Sequence, residues 1–146
     1  MWKGAFSKKD LLSTAPEYAE PEKDVFALTP IGTPIDLCKI ASKNKEQHLV
    51  LVDDDNLRIS ASAVDSFPQN TIPFETHKQQ TQYVLVAQGK AKITMFVNKT
   101  DDTDATIAFV EKSQMFVIPH NTKHQIAQVG ETPLKVISMY STVNKQ

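Results

Sequence analysis

The chain has 146 residues, with 16 basic and 17 acidic side chains, a net charge of -1 and a hydrophobic content of 40%. This composition excludes a disordered or fibrous chain. It also provides no excess of positive charge for nucleic acid, and no apolar run of about 18 residues predicts a membrane span. The charged start MWKGAFSKKD lacks the apolar stretch of a signal peptide, so we expect a cytoplasmic protein without nucleic-acid or membrane partners.

The length supports one domain, which we divide into an N-terminal extension (1–45) packed on a main domain (46–146). Prolines interrupt the extension repeatedly. Ser7 and Asp10 form a weak capping-box signal that predicts a short helix over residues 8–13, followed by extended chain. Three aromatic side chains are expected to anchor this extension on the main domain: Trp2, Phe6 and Tyr18.

From His48 onward, apolar and polar residues alternate with the period of two that is typical of β-strands. No segment between the strands is long enough to be a crossover helix, so the pattern predicts an all-β antiparallel sandwich or barrel. The acidic segment 98–104 is interpreted as an exposed hairpin loop, since it lacks the glycine and glutamate of a calcium loop. The predicted strands cover 57–63, 82–88, 90–97, 106–110, 114–118, 124–129 and 134–141, and LVLV (49–52) starts another.

The single cysteine restricts any metal site to nitrogen and oxygen ligands. Cys38 lies in the apolar stretch IDLCKI, where we expect it to be packed and inert. The chain has four histidines, so the position of each is informative. His48 and His120 border polar or turn-like segments and are expected at the surface, which leaves His77 and His124 as candidate ligands.

Glu75 and His77 are two residues apart, so in an extended strand they project from the same face. Gln82 begins a strand and shares a face with Val84 and Val86. If this face is interior, His124 from a later strand would add a second imidazole. One carboxylate, two imidazoles and one amide oxygen suit divalent iron, manganese, nickel or zinc, and the net charge near +1 would favour an anionic or enolate-forming ligand. The alternative is a hydrogen-bonded cluster without metal.

These segments resemble the two motifs of the cupin superfamily, over residues 56–140 or so. The spacing of Glu75, His77, Gln82 and Gly89 follows the first motif, and Ser113, Pro119 and His124 stand in the register of the second. The resemblance implies an antiparallel jelly-roll β-barrel, and it implies that Glu75, His77, Gln82 and His124 bind a divalent transition metal. The segment VGETPLKVISMYS also resembles the closing strand of small one-domain cupins.

The chain departs from the usual cupin pattern at several positions. Glu75 stands where most metal-binding cupins have histidine, and Gln82 stands where they have glutamate, so a weaker amide ligand replaces a carboxylate. The order Glu, His, Gln resembles small bacterial cupins labelled as similar to mannose-6-phosphate isomerase. Ser113 and Asn121 replace turn glycines, and asparagine tolerates the left-handed backbone that such a turn requires.

Three functions follow from the resemblance. The first is a metal-dependent, isomerase-like enzyme for a sugar phosphate or another small polar anion, with Glu75 or a histidine moving a proton. The second is a metal-free ketoisomerase of sugar nucleotides, and the third is a module that binds a metal or small ligand without turnover. A homodimer is expected for each of them. No residue is assigned a catalytic role, and Lys78 and Tyr83, which flank the candidate ligands, are given none.

Overall fold

A computed structural model of the protein describes residues 32–64, 72–96 and 104–143. The helix predicted over 8–13, the three aromatic anchors and nearly all of the acidic loop lie outside these residues. Among the described residues no helix is both long and apolar enough to cross a membrane. The elements are helix α1 (Leu37–Lys43) and strands β1 (Leu49–Asp53), β2 (Leu57–Val64), β3 (Gln80–Gln88), β4 (Lys90–Phe96), β5 (Ala105–Glu111), β6 (Met115–Ile118), β7 (Lys123–Gln128) and β8 (Leu134–Thr142).

The strands form two antiparallel sheets, as the alternation of apolar and polar residues predicts. One sheet has five strands in the order β1-β2-β8-β3-β6, and the other has three in the order β5-β4-β7. β8, the last strand in the sequence, lies between β2 and β3. The all-β jelly-roll prediction is confirmed, although within the described residues the two sheets stay separate and do not close into one continuous barrel.

The main core lies between the two sheets. Alternate side chains of β2, β3, β6 and β8 pack against side chains of β4, β5 and β7. The opposite face of the five-stranded sheet carries a second core, because α1 covers it with Ile40 and Ala41. Covering on both faces explains why β2 is buried continuously from Ser60 to Val64. Towards the end of the sheet that carries Gln82 and Tyr140 the interior becomes polar, and the candidate site lies there.

The prediction of extended chain before residue 45 is wrong for residues 37–43, which form α1. Asp36 caps this helix, since its carboxylate accepts a hydrogen bond from the backbone N–H of Lys39 at 3.0 Å. Leu37, Ile40 and Ala41 follow helical spacing and pack against the sheet. Tertiary packing of this short apolar stripe therefore explains a helix that the proline-rich context did not predict.

The expectation that Cys38 is packed is also wrong. Cys38 lies on α1 and is exposed. The apolar stretch IDLCKI suggested burial, but only one stripe of a helix can face the sheet. The side chains of Ile40 and Ala41 occupy that stripe, so the thiol projects from the other side of the helix.

The tight turn predicted at Asn121 is confirmed. Asn121 has a φ of 59°, in the left-handed region, and Ser113 in the turn between β5 and β6 has a φ of 72°. These are the two positions where the sequence departs from the cupin glycines. The chain thus keeps both turns with residues that carry side chains.

A first prediction concerns Gly89 in the turn between β3 and β4. Its φ is +83°, and a Cβ atom there would lie 2.9 Å from the carbonyl oxygen of Pro133. Gly89→Ala is therefore expected to lower the free energy of unfolding by roughly 3 kcal/mol, because an unfavourable backbone conformation and a steric clash add up. Gly130→Ala is the matched control, since Gly130 has a φ of +82° but no atom of the described residues lies within 4 Å of the added Cβ. Gly130→Ala is expected to lower the free energy of unfolding by about 1 kcal/mol. Urea unfolding measures both variants, and an equal loss of stability in the two would contradict the steric clash at Gly89.

Candidate metal centre

Backbone pairing places Glu75 directly opposite His124. The N–H of each residue donates a hydrogen bond to the carbonyl oxygen of the other at 2.9 Å, so the segment before β3 continues the three-stranded sheet beside β7. Two residues further, the carbonyl of His77 accepts a hydrogen bond from the N–H of Asn121 at 2.6 Å. The left-handed turn at Asn121 therefore fixes the chain that carries His77, and both segments bring their side chains to one place.

Glu75, His77 and His124 form a cluster that could hold a metal ion. One ligand atom from each residue can be chosen so that all three lie within 4.8 Å of one another. The imidazole rings of His77 and His124 have centroids 5.2 Å apart. His124 is almost completely buried, whereas Glu75 and His77 are only partly buried, so the cluster is open to solvent on one side.

The hydrogen bonds of His124 determine which of its nitrogens is free. Its Nδ1 lies 2.8 Å from the carbonyl oxygen of Thr122. A carbonyl can only accept, so Nδ1 carries the proton and Nε2 has an unshared electron pair. Within the part of the chain that the structure describes, this Nε2 is buried without a hydrogen-bond partner, and so is Nε2 of His77. In a metal-binding histidine, one ring nitrogen usually donates its proton to a carbonyl or carboxylate oxygen, and the other ring nitrogen binds the metal.

Gln82 presents a third buried polar atom without a partner among the described residues. Its Nε2 donates to the hydroxyl oxygen of Ser138 at 3.1 Å and to that of Tyr140 at 3.2 Å. These bonds use the amide nitrogen and leave Oε1 buried, with no partner from residues 32–64, 72–96 and 104–143. Leaving a buried acceptor unpaired costs about 1 to 3 kcal/mol, so this interior is suited to a group that accepts electron pairs.

Burial shifts the pKa values of His77 and Tyr140 in the directions that favour their neutral forms. Burial lowers the pKa of His77 below its ordinary value of 6.5, the neighbouring His124 lowers it further, and Glu75 partly opposes the effect. Burial likewise raises the pKa of the Tyr140 hydroxyl above 10.0. The rings of His77 and Tyr140 are in contact, with centroids 5.1 Å apart. A neutral imidazole is the form that binds a metal.

A second prediction concerns the titration of His77 in metal-free protein. The ring of His77 is expected to titrate below pH 6.5 because burial disfavours its charged form. The folded state then binds the proton more weakly than the unfolded chain, so the stability that the neutral ring contributes is present above pH 6.5 and decreases as the pH falls through the folded-state pKa. NMR of ring protons checks this, with His77→Gln to assign the signal, and a midpoint above 6.5 would contradict it.

The structure separates the sequence-predicted residues into two groups. It brings Glu75, His77 and His124 together, whereas Gln82 is connected to this cluster through Tyr140, which hydrogen-bonds Gln82 and contacts the ring of His77. His48 and His120 are exposed, as expected. Sequence reasoning did not identify Ser138 and Tyr140, which orient Gln82. Their alternation along β8 was visible, but their contact with Gln82 depends on the pairing of β8 with β3.

Comparison with known proteins agrees with this geometry. A family model described as Cupin matches residues 44–146, which is most of the chain. The chain belongs to the cupin family. The family relationship, the two sheets and the Glu/His/His cluster together describe a cupin with a possible metal site. A search of curated proteins found no match.

Solved structures show the same fold. This cupin is similar to the BH2720 protein of Bacillus halodurans, with 20% identity, a TM-score of 0.68, and coverage of 80% of this chain and 86% of the other. It is also similar to a cupin superfamily protein of Desulfitobacterium hafniense, with 21% identity, a TM-score of 0.58, and coverage of 84% and 97%. At these identities the likeness extends to the fold alone.

Proposed function

We propose that this cupin binds one divalent transition metal, of the manganese, iron, nickel or zinc kind, through Glu75, His77, His124 and the amide oxygen of Gln82. The observation that supports this most directly is a set of three buried nitrogen and oxygen atoms, Nε2 of His77, Nε2 of His124 and Oε1 of Gln82, which have no hydrogen-bond partner among the described residues and lie in the region of the Glu75 carboxylate. Nitrogen and oxygen donors of this type are those that such metals prefer. Unpaired acceptors that would be costly in an empty core become favourable as ligands.

The ligand that we propose for this centre is a small polar anion, such as a sugar phosphate. One carboxylate and a dication leave a net charge near +1, which attracts an anion. The metal would polarise a carbonyl or hydroxyl oxygen of the bound molecule as a Lewis acid. Glu75 and His77 lie on the solvent-accessible side, where a bound molecule could reach them. An isomerase-like reaction, of the kind suggested by the resemblance to mannose-6-phosphate isomerase-like cupins, is the enzymatic form of this proposal.

A second candidate is proton transfer without metal, as in sugar-nucleotide ketoisomerases of the cupin type. The adjacent rings of His77 and His124 favour it, since two imidazoles could act as acid and base. A non-catalytic binding module would use the same site without turnover.

A cytoplasmic location and a homodimer stay predictions of the sequence, and light scattering after size-exclusion chromatography tests the homodimer.

The third prediction is the metal content of purified protein. Elemental analysis of protein prepared without added metal is expected to give near one transition-metal ion per chain, and the same in His48→Ala and His120→Ala, whose histidines are exposed. Absence of metal after loading with each of the four ions would contradict the metal proposal and favour the histidine pair. Conversion of a sugar phosphate by metal-loaded but not by metal-free protein would then separate the enzyme from the binding module.

A further inference from the structure

The only arginine of the chain lies on the strand next to β8. The chain has 16 lysine and arginine residues, and all of them except this arginine are lysines. Arg58 pairs with Tyr140 across β2 and β8, and Tyr140 in turn pairs with Gln82 across β8 and β3. Directly paired residues project from the same face of a sheet. Arg58, Tyr140 and Gln82 therefore form one row on the inner face of the five-stranded sheet.

The neighbouring row contains Ser60 of β2, which pairs with Ser138 of β8. Ser60 is 1% exposed, and its hydroxyl lies near the Tyr140 hydroxyl but makes no well-directed hydrogen bond within the described residues. The Nε of Arg58 is likewise buried without a partner there. Two hydrogen-bond donors, one of them on a cation, thus stand two residues apart on one strand face, beside the Tyr140 ring that the guanidinium group contacts. A buried donor in this state is costly unless a ligand accepts from it.

We propose that Arg58 and Ser60 form a subsite for the carboxylate group of a small organic acid. The guanidinium group binds carboxylates by parallel hydrogen bonds, and such charge-assisted bonds are about twice as strong as neutral ones. Two donors match the two oxygens of one carboxylate. Asp53 pairs with Arg58 across β1 and β2, so a bound anion shares the guanidinium group with the Asp53 carboxylate. This negative charge disfavours a phosphate dianion more than a singly charged carboxylate.

The subsite lies next to the candidate metal centre, and this part of the inference rests on the proposed function. The Tyr140 ring contacts both groups, since its centroid is 5.9 Å from the guanidinium carbon of Arg58 and 5.1 Å from the centroid of the His77 ring. An acid held by its carboxylate at Arg58 would direct its other end towards Glu75, His77 and His124. Among the small polar anions of the proposed function, the subsite therefore selects a carboxylic acid with a second oxygen function, such as a dicarboxylate or an oxo acid, over a sugar phosphate.

Calorimetric titration of the metal-loaded protein with malonate tests the subsite, with inorganic phosphate as the comparison anion. We expect Arg58→Gln to weaken malonate binding by about 10- to 100-fold, because a charge-assisted hydrogen bond is lost. Arg58→Lys is expected to recover only part of this loss, since lysine keeps the charge but not the planar donor pair. Ser60→Ala, a small change in a packed strand, is expected to weaken binding by about 3- to 10-fold. Lys112→Gln, in the exposed turn between β5 and β6, is the control for loss of one positive charge.

Metal content measured in the same samples separates this proposal from the metal proposal. Arg58→Gln is expected to keep its metal, so weaker malonate binding at full metal content supports the subsite. If the wild-type protein binds no metal, the titration is made on metal-free protein, and dependence on Arg58 is still expected. A malonate Kd that stays within about twofold in Arg58→Gln and Ser60→Ala, or no malonate binding by the wild type, overturns the subsite. Tighter, Arg58-dependent binding of phosphate overturns its assignment to carboxylates.

Discussion

Replacing either His77 or His124 by alanine is expected to abolish near-stoichiometric metal binding, but only His124→Ala is expected to weaken the metal-free fold. Each substitution removes one direct ligand, so the metal Kd should rise by more than the roughly 10- to 100-fold that loss of an outer hydrogen-bond partner costs. The two side chains differ in their surroundings. His124 is 2% exposed, whereas His77 is only partly buried.

The difference in burial predicts different stabilities. His124→Ala leaves a cavity and removes the donor to the carbonyl of Thr122, which should lower the free energy of unfolding by roughly 2 kcal/mol. His77→Ala should change it by less than about 1 kcal/mol, since the hydrogen bond from Asn121 goes to the backbone and survives. Urea unfolding in the presence of a chelator measures both. Full metal content in either variant would exclude that histidine as a ligand.

The strands could be predicted because most of them alternate apolar and polar residues, and this period of two is a local property of the sequence. Gln82, Val84 and Val86 share the buried face of β3 as expected, since side-chain direction alternates regardless of what the strand pairs with. The turn at Asn121 could be predicted for a similar reason, because few residues with side chains tolerate positive φ. Local rules were sufficient in both cases.

Features that depend on pairing between distant strands could not be predicted in this way. Ser138 and Tyr140 contact Gln82 only because β8 inserts between β2 and β3 in a particular register, and a shift by one residue would turn them to the other face. The same register brings Arg58 into the row of Gln82. The sequence shows that Arg58 is the only arginine of the chain, but it does not show this neighbourhood. Helix α1 and the exposed Cys38 also depend on a distant partner, the outer face of the sheet.

Gln82 is the residue on which the metal proposal depends most, and Gln82→Glu is expected to have opposite effects with and without metal. Without metal, a buried carboxylate replaces a neutral amide, which should lower the free energy of unfolding by about 2 kcal/mol at neutral pH. The hydroxyls of Ser138 and Tyr140 limit this cost, because they can rotate to donate to the new carboxylate. With metal, the added negative charge should tighten binding by about 10-fold or more, equivalent to roughly 1.4 kcal/mol.

The comparison variant is Gln82→Met, which has a similar length but no oxygen ligand. It should bind metal more weakly than the wild type. The affinity for metal is therefore expected to be highest in Gln82→Glu, intermediate in the wild type and lowest in Gln82→Met. Thermal unfolding with and without the metal measures this, and the increase in Tm on metal addition should follow the same order. Equal increases in all three proteins would exclude residue 82 from the metal ligands. The site would then consist of Glu75, His77 and His124 alone, with Gln82 serving to order Ser138 and Tyr140.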